Sequence, residues 1–442
     1  MQDDQTVVVT GFGALTPVGL GREESWSALL AGRSGIGPIT RFDPEGLPTR
    51  IAGEVRGFDP AALLDRKRLR RTARFSRLAI GAAREAVADA GLRVATGEDP
   101  DGTEGGAAGA APGPAPGRAL LSAAGPLPGD RVGVVVNSAV TGMGETEEAV
   151  DRMHADPRRV SPYFVPSVIP NMAACEVAID LGAHGPVTAS ALACASGIHA
   201  LLEARRLILS GEADVVVAGG ADSAITRVMF TGLSAMGALS QANDDPAAAS
   251  RPFDAGRDGF VFGEGAVVCV MESLAHARAR GARPYAEVAG GALTCDAFHV
   301  SAPDPEGGHA VAAMRRALRA AGTAPEAVDY VCAHGTATRI NDRMETRAIR
   351  EVYGRHADAL PVSSPKSMTG HLIGAAGALS AMVCALAIRD GVLPPTANLD
   401  TPDPDCDLDY VPGHARRAEI TTAAVNAFGF GGQNCVAVLR RV

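Results

Sequence analysis

Short apolar runs alternate with amphipathic stretches along almost the whole chain. Residues 6–10, 131–136, 213–218, 266–271 and 330–332 are apolar runs of strand length. Such runs predict strands buried on both faces. Between them, 76–90 and 198–209 repeat their apolar positions at helical spacing. The alternation predicts an α/β protein whose sheets are covered by helices on both sides.

The pattern also repeats. Residues 7–16 read VVVTGFGALT and 286–294 read AEVAGGALT, while DRVGVVVNS at 130–138 has a counterpart in VDYVCAHG at 328–335. These echoes predict two similar halves, 1–285 and 286–442. Residues 95–129 interrupt them with a Gly-, Ala- and Pro-rich stretch centred on Gly113-Pro114-Ala115-Pro116-Gly117. That composition buries too little apolar area to offset chain entropy, so it reads as a flexible surface insertion.

The chain has 442 residues, 46% of them hydrophobic, and a net charge of -9. The size allows a large core, and the acidity argues against nucleic acid as a partner. Eight cysteines include no C-x-x-C pair, so a zinc site or a dithiol redox motif is not expected. No apolar run reaches the ~18 residues of a membrane span, and the N-terminus enters a strand without a secretory signal pattern. The expected setting is a reducing cytoplasm, with no membrane partner.

The candidate chemistry begins at Cys194, in Ala189-Ser190-Ala191-Leu192-Ala193-Cys194-Ala195-Ser196-Gly197. The turn from strand to helix puts this thiol at a helix N-terminus. Unpaired N–H groups and the helix dipole there favour a thiolate and can hold an oxyanion. Two glycine-flanked histidines lie far downstream. His334 ends an apolar strand in Ala333-His334-Gly335-Thr336-Ala337-Thr338, and His371 follows Lys366-Ser367-Met368-Thr369-Gly370. A thiol with distant imidazole partners is a nucleophile–base layout. Thr336 and Thr338 are candidates to bond the backbone or a pantetheine arm. The tail Phe428-Gly429-Phe430-Gly431-Gly432 reads as a glycine-rich loop between two strands. His154, His276, His309 and His356 read as ordinary structural histidines, while His199 and His299 stay ambiguous.

Together these motifs, with Asp342 and Glu345 after the His334 segment, resemble the β-ketoacyl-[acyl-carrier-protein] synthase II and type II polyketide ketosynthase family of the thiolase-like superfamily. The resemblance implies a five-layer αβαβα sandwich built from two pseudo-repeated halves, and a dimer. It implies that Cys194 takes an acyl group from an acyl carrier protein, with the N–H groups of Cys194 and Phe430 as oxyanion hole. His334 and His371 would hold the malonyl carbonyl through loss of CO₂. Lys366 would order the site through Glu345, Phe430 would gate the pocket, and 294–299 would move with it. No cofactor is implied, since substrates ride on the carrier's phosphopantetheine arm.

A basic island in the acidic chain, Arg66, Lys67, Arg68, Arg70 and Arg71, is the expected carrier-docking surface. Three departures from the family's usual motifs bear on acyl specificity: Ser190–Ala193 before the cysteine, Pro365 before Lys366, and the turn at 137–142. They tilt the expectation from fatty acid synthesis mildly toward a polyketide or polyene pathway, where the second subunit is a chain-length factor instead of another copy. Two rival readings are a degradative thiolase using Cys435 as acid/base, and a non-catalytic chain-length-factor-like partner.

Overall fold

The structure is a computed structural model, and it describes residues 5–95, 118–123 and 125–442. The elements that position the site are β1 (Val7–Thr16), α1 (Arg66–Arg71), α2 (Arg74–Asp89), β2 (Val132–Asn137), α3 (Met172–Leu181), β3 (Val187–Thr188), α4 (Ser196–Leu209), β4 (Val215–Asp222), β5 (Gly265–Ser273), β6 (Ala286–Cys295), α5 (Gly308–Ala320), β7 (Tyr330–Cys332), α6 (Arg339–Tyr353), β8 (Val362–Ser363), α7 (Ala376–Asp390), β9 (Thr422–Gly429) and β10 (Gln433–Arg440).

The strands hydrogen-bond in the order β8-β7-β9-β10-β6-β1-β5-β4-β2-β3. Each side of the β6–β1 junction is the mirror of the other in order and in sense. The two innermost pairs on each side, β1–β5 with β5–β4 and β6–β10 with β10–β9, are antiparallel. The outer pairs, β4–β2 with β2–β3 and β9–β7 with β7–β8, are parallel. Val8–Glu287 and Val9–Ala286 join the two halves of the ladder, with Tyr285 N–H donating to the Val9 carbonyl at 2.7 Å beside them.

The repeated sequence has a repeated physical cause. β1 shifts register between Val9 and Gly11, and β6 between Val288 and Gly290. At each shift the backbone of an outer helix presses on the strand. A Cβ on Gly11 would lie 2.2 Å from the Ala86 carbonyl oxygen, and one on Gly290 2.6 Å from the Ala321 nitrogen. Glycine is required at both places because nothing larger fits.

Five layers follow: α2 and α3, one half of the ladder, α4 with α7, the other half, and α5 with α6. α2 buries Phe75, Leu78, Ala79, Ala82, Ala83 and Ala86 at spacings of three and four, as an outer helix must. The central α7 is apolar on every side and buried from Ala376 to Ile388. By length and composition the stretch Ile373–Asp390 would span a membrane, contrary to the sequence expectation, yet 89% of it is buried in protein. α4 and α7 meet backbone to backbone: a Cβ on Gly197 would sit 2.5 Å from the Ala378 nitrogen. The alanine and glycine content serves this contact.

The expected insertion is shorter than its composition suggests. Arg93–Ala95, Ala119–Ser122 and Gly125–Pro126 form a three-stranded sheet, and Arg118 donates to the Asp180 carbonyl at 2.8 Å. Its centre, 96–117, lies outside the described residues.

Candidate active site

A one-turn 3₁₀ helix, Ala193–Ala195, carries Cys194 and runs directly into α4. The turn is tight. Ala193 has φ 46°, a left-handed conformation that costs a residue with a side chain. Asn137 at the end of β2 holds both sides of the turn, accepting from Ser190 N–H at 2.8 Å and donating to the Ser196 carbonyl at 2.9 Å. The backbone N–H groups of Phe430 and of Cys194 itself favour negative charge on the sulfur.

The thiol departs from the sequence expectation. Burial pushes Cys194 up to about 11, outweighing Lys366 and the two N–H groups, which pull it down; Asp222 adds to the rise. Burial wins because the helix-terminus effect is a fraction of a charge, whereas desolvation acts on a whole one. The resting nucleophile is a protonated thiol at neutral pH, not the expected thiolate.

His334 follows β7, and its peptide is gripped at both ends. Its N–H donates to Glu345 Oε1 at 2.8 Å, and its carbonyl accepts from Lys366 Nζ at 2.5 Å. Glu345 also receives Gly335 N–H at 2.8 Å and Asn426 Nδ2 at 3.0 Å. Lys366 thus reaches His334 through the carbonyl, where a route through Glu345 was expected. Gly335, with φ 39°, leaves 2.7 Å between a would-be Cβ and Ser364 Cβ, so no side chain is tolerated there.

His371 is fixed by its backbone, donating to the Val261 carbonyl at 2.7 Å and accepting from Gly263 N–H at 2.9 Å. Its Nδ1 accepts Ile373 N–H at 3.2 Å, which places the ring proton on Nε2. That Nε2 is buried and has no partner among the described residues, and neither has His334 Nδ1. Unpaired buried ring nitrogens call for an occupant. The two rings stand edge to face, centroids 5.5 Å apart. Burial first, and then the Lys366 charge, holds both imidazoles well below their ordinary value, so both are neutral; His371 depresses His334 further.

One cavity of about 660 Å³ is lined by Cys194, His334, His371, Thr336, Thr338 and Phe430. Apolar side chains of Val140, Met229, Leu233, Phe260 and Phe262 also line it. Phe430 heads the turn between β9 and β10, 41% exposed. That turn is bonded to its neighbour loop, Asp296 N–H to the Gly432 carbonyl and Gly431 N–H to the Val300 carbonyl, both at 2.9 Å.

The comparisons with known proteins bear on this arrangement. The model described as beta-ketoacyl synthase, N-terminal domain matches residues 4–114 and 117–277, and the beta-ketoacyl synthase, C-terminal domain matches 285–400. The chain belongs to the β-ketoacyl synthase family. A 3-oxoacyl-[acyl-carrier-protein] synthase 2 of Coxiella burnetii is 45% identical, with 100% of this chain and 99% of that protein covered. One of Synechocystis is 42% identical, with 99% of each covered. Among solved structures, the ishigamide ketosynthase/chain length factor superposes with a TM-score of 0.85 at 36% identity, 99% of each chain covered. A ketosynthase in complex with its type II PKS acyl-carrier protein does so at 0.85 and 32%, again with 99% of each covered. The fold is thiolase-like, and the chain is an acyltransferase of the ketosynthase kind.

Other candidate residues of the synthase lie elsewhere. Asp342 is off the cavity, buried, accepting Phe253 N–H at 2.8 Å and lying 3.4 Å from Arg257. Cys435 is buried within β10 and does not line the cavity, which removes the second thiol that a degradative thiolase needs. His199 and His299 are also outside the lining.

The basic island divides. Arg66, Lys67 and Arg70 are exposed, but Arg68 is buried on Asp180 and Glu176, and Arg71 sits 3.6 Å from Glu176. Helical spacing turns Arg68 inward, so Arg68 is a structural residue and not part of a docking surface. Beside α1 a second cleft of about 650 Å³ brings in Arg77, Arg152, Arg158 and Arg159. Arg158-Arg159 is one of six Arg-Arg pairs in the chain, and only the fold brings it beside Arg70-Arg71.

Gly429 sets the fit of the oxyanion turn. A Cβ there would lie 2.8 Å from the Leu192 carbonyl oxygen and 3.1 Å from the Cys194 nitrogen. Gly429→Ala is expected to shift the turn and lower kcat by about 100-fold with the protein still folded, as small misplacements of reacting groups do. Steady-state kinetics beside a melting curve checks it.

Proposed function

We propose that this synthase lengthens a carrier-bound acyl chain by two carbons through decarboxylative condensation. Cys194 Sγ attacks the acyl thioester carbonyl, and the oxyanion sits at the N–H groups of Cys194 and Phe430. The carrier's sulfur leaves with the thiol proton, so the acyl group is now on Cys194. The malonyl thioester then places its carbonyl oxygen against His371 Nε2–H and the His334 ring. The bond to the carboxylate breaks, CO₂ leaves, and the electron pair forms an enolate held by two neutral donors. Its carbon attacks the acyl-Cys194 carbonyl, the C–S bond breaks, and the sulfur regains a proton from solvent. Lys366 and Glu345 position His334, and Thr336 and Thr338, 3.0 Å apart, offer hydroxyls to the pantetheine arm.

The observation that carries this reading is the convergence of Cys194, His334 and His371 on one cavity that apolar side chains also line. The test is product mass: an acyl carrier and isotopically labelled malonyl carrier should give a 3-oxoacyl product two carbons longer plus one equivalent of CO₂. Acyl transfer without elongation overturns it. Fatty acid elongation is favoured over a polyketide pathway, since the curated relatives carry the synthase 2 name. The presence of the thiol and both imidazoles disfavours a non-catalytic partner role.

Arg66, Lys67 and Arg70, with Arg158 and Arg159 across the cleft, form the surface for an acidic carrier protein. Reversing Arg70 and Arg159 to Glu is expected to raise KM for carrier-bound substrate about tenfold, with the difference shrinking at high salt, while small thioester analogues are unaffected. Equal loss with both substrates contradicts it. Among the described residues β3 ends the strand order, and its Val187 is an exposed apolar side chain. This edge pairs the synthase with a second chain. Light scattering of the purified chain distinguishes a second copy, seen as a dimer, from a chain-length-factor-like subunit, which leaves it monomeric. A cytoplasmic setting follows from this reading.

A further inference from the structure

Asp222 ends β4 and is fully buried, yet no Lys or Arg among the described residues pairs with it. An ionised carboxylate in that setting is costly unless its oxygens are filled with donors. Here they are. Oδ1 accepts Ser138 Oγ at 2.6 Å, Val140 N–H at 3.0 Å and Thr141 N–H at 3.3 Å. Oδ2 accepts Ala139 N–H at 3.0 Å and Gly374 N–H at 2.7 Å. Four of the five partners are backbone N–H groups, which can only donate; burial pushes the Asp222 carboxyl above its ordinary value, and these donors oppose that rise.

These donors come from two segments far apart in sequence. One is the turn 138–141, whose Ala139 and Val140 line the cavity; the other follows His371, and its Ile373 lines the cavity as well. Both segments contain a side-chain-bearing residue in the left-handed region, Thr141 at φ 62° and Ile373 at φ 52°. Such conformations persist only where surrounding bonds impose them. The N–H that orients the His371 ring belongs to Ile373, and the next N–H along the chain goes to Asp222. The fit is close: a Cβ on Gly374 would meet Asp222 Oδ2 at 2.4 Å and the Ala139 nitrogen at 3.0 Å.

We propose that Asp222 is a positioning residue for specificity, one carboxylate that fixes the acyl-side turn 138–141 and the 373–374 turn behind His371 together. The acyl-chain wall and the malonyl-side imidazole therefore share a single anchor, and a change in one is felt by the other. The assignment to acyl and malonyl sides rests on the condensation reading above. Asp222 also faces Cys194 electrostatically, and its charge opposes thiolate formation.

Asp222→Asn separates this role from bulk stability. An amide has one acceptor oxygen. In one orientation its NH₂ faces Ala139 and Gly374, in the other Ser138, Val140 and Thr141. Either way one segment is released. The kcat/KM ratio for long against short saturated acyl carriers is expected to shift about tenfold. Malonyl decarboxylation is expected to fall about tenfold in kcat with little change in KM. Alkylation of Cys194 should become faster, because a negative charge has been removed. Glu272→Gln, at an equally buried carboxylate far from the cavity, should lower Tm without moving the ratio. If Asp222→Asn does not fold, Ser138→Ala, which loses the 2.6 Å bond to Asp222 and the 3.0 Å bond that Ser138 Oγ accepts from Thr141 N–H, should still shift the ratio. A folded variant with wild-type ratio and decarboxylation overturns the anchor. So does a crystal structure of the variant with 138–141 and Ile373 unmoved, and that readout holds even if the wild type makes no elongated product, the result that overturns the condensation reading instead.

Discussion

Cys194→Ala is expected to abolish acyl transfer and condensation, with a loss of about four orders of magnitude or more, while the protein keeps its melting temperature within a few degrees. The size of the effect follows from covalent catalysis. Without the sulfur there is no acyl-enzyme, and the enolate has no electrophile held beside it. Stability is little affected because Ala fits where a buried thiol sat, on a turn fixed by Asn137 and not by the sulfur. Cys194→Ser should be nearly as inactive. Its hydroxyl is a weaker nucleophile still, in a site that already holds the thiol up to about 11. Intact-mass measurement after incubation with acyl carrier, beside a thermal melt, reads both outcomes.

The second large effect belongs to the imidazoles. His334→Ala and His371→Ala are each expected to lower malonyl decarboxylation by about 100- to 10,000-fold while acyl transfer to Cys194 continues. Both rings are neutral because burial, and then Lys366, depresses them well below the ordinary histidine value. The decarboxylation rate should therefore stay level from pH 8 down through 6.5 and fall only in more acid solution. The sign is set by which form is active: protonation removes the neutral donors. Lys366→Met removes the charge that lowers these values, so the acid limb should move up in pH. The same variant should slow alkylation of Cys194, because Lys366 also favours the thiolate. Acid should cost stability too. Below about 6.5 the unfolded chain binds protons at these histidines that the folded chain refuses, so folding stability falls as pH drops through that window.

Much of this was legible along the chain. The apolar runs become strands, and the echo of 7–16 in 286–294 becomes two strands that each shift register under an outer helix, at Gly11 and at Gly290. The Cys194, His334 and His371 motifs were legible because each sits at the end of a strand or the start of a helix, where local spacing determines exposure to a cleft. What was not legible depends on tertiary neighbours. Arg68 reads as one more surface arginine until α3 supplies Asp180 and Glu176 to it. Asp222 reads as the polar end of a strand until two distant turns deliver their N–H groups. The thiol's protonation state reads one way from the helix terminus and the other way once burial is counted. The ends of 95–129 are strands because Arg93–Ala95 and Ala119–Ser122 pair, which composition averaged over the segment conceals.

The most direct test of the central claim is peptide mapping of the His334→Ala/His371→Ala enzyme after incubation with acyl carrier and then malonyl carrier. The account predicts the acyl mass on the peptide containing Cys194 and no elongated product. An acyl group found on another residue, or elongation that persists without the two imidazoles, would contradict it.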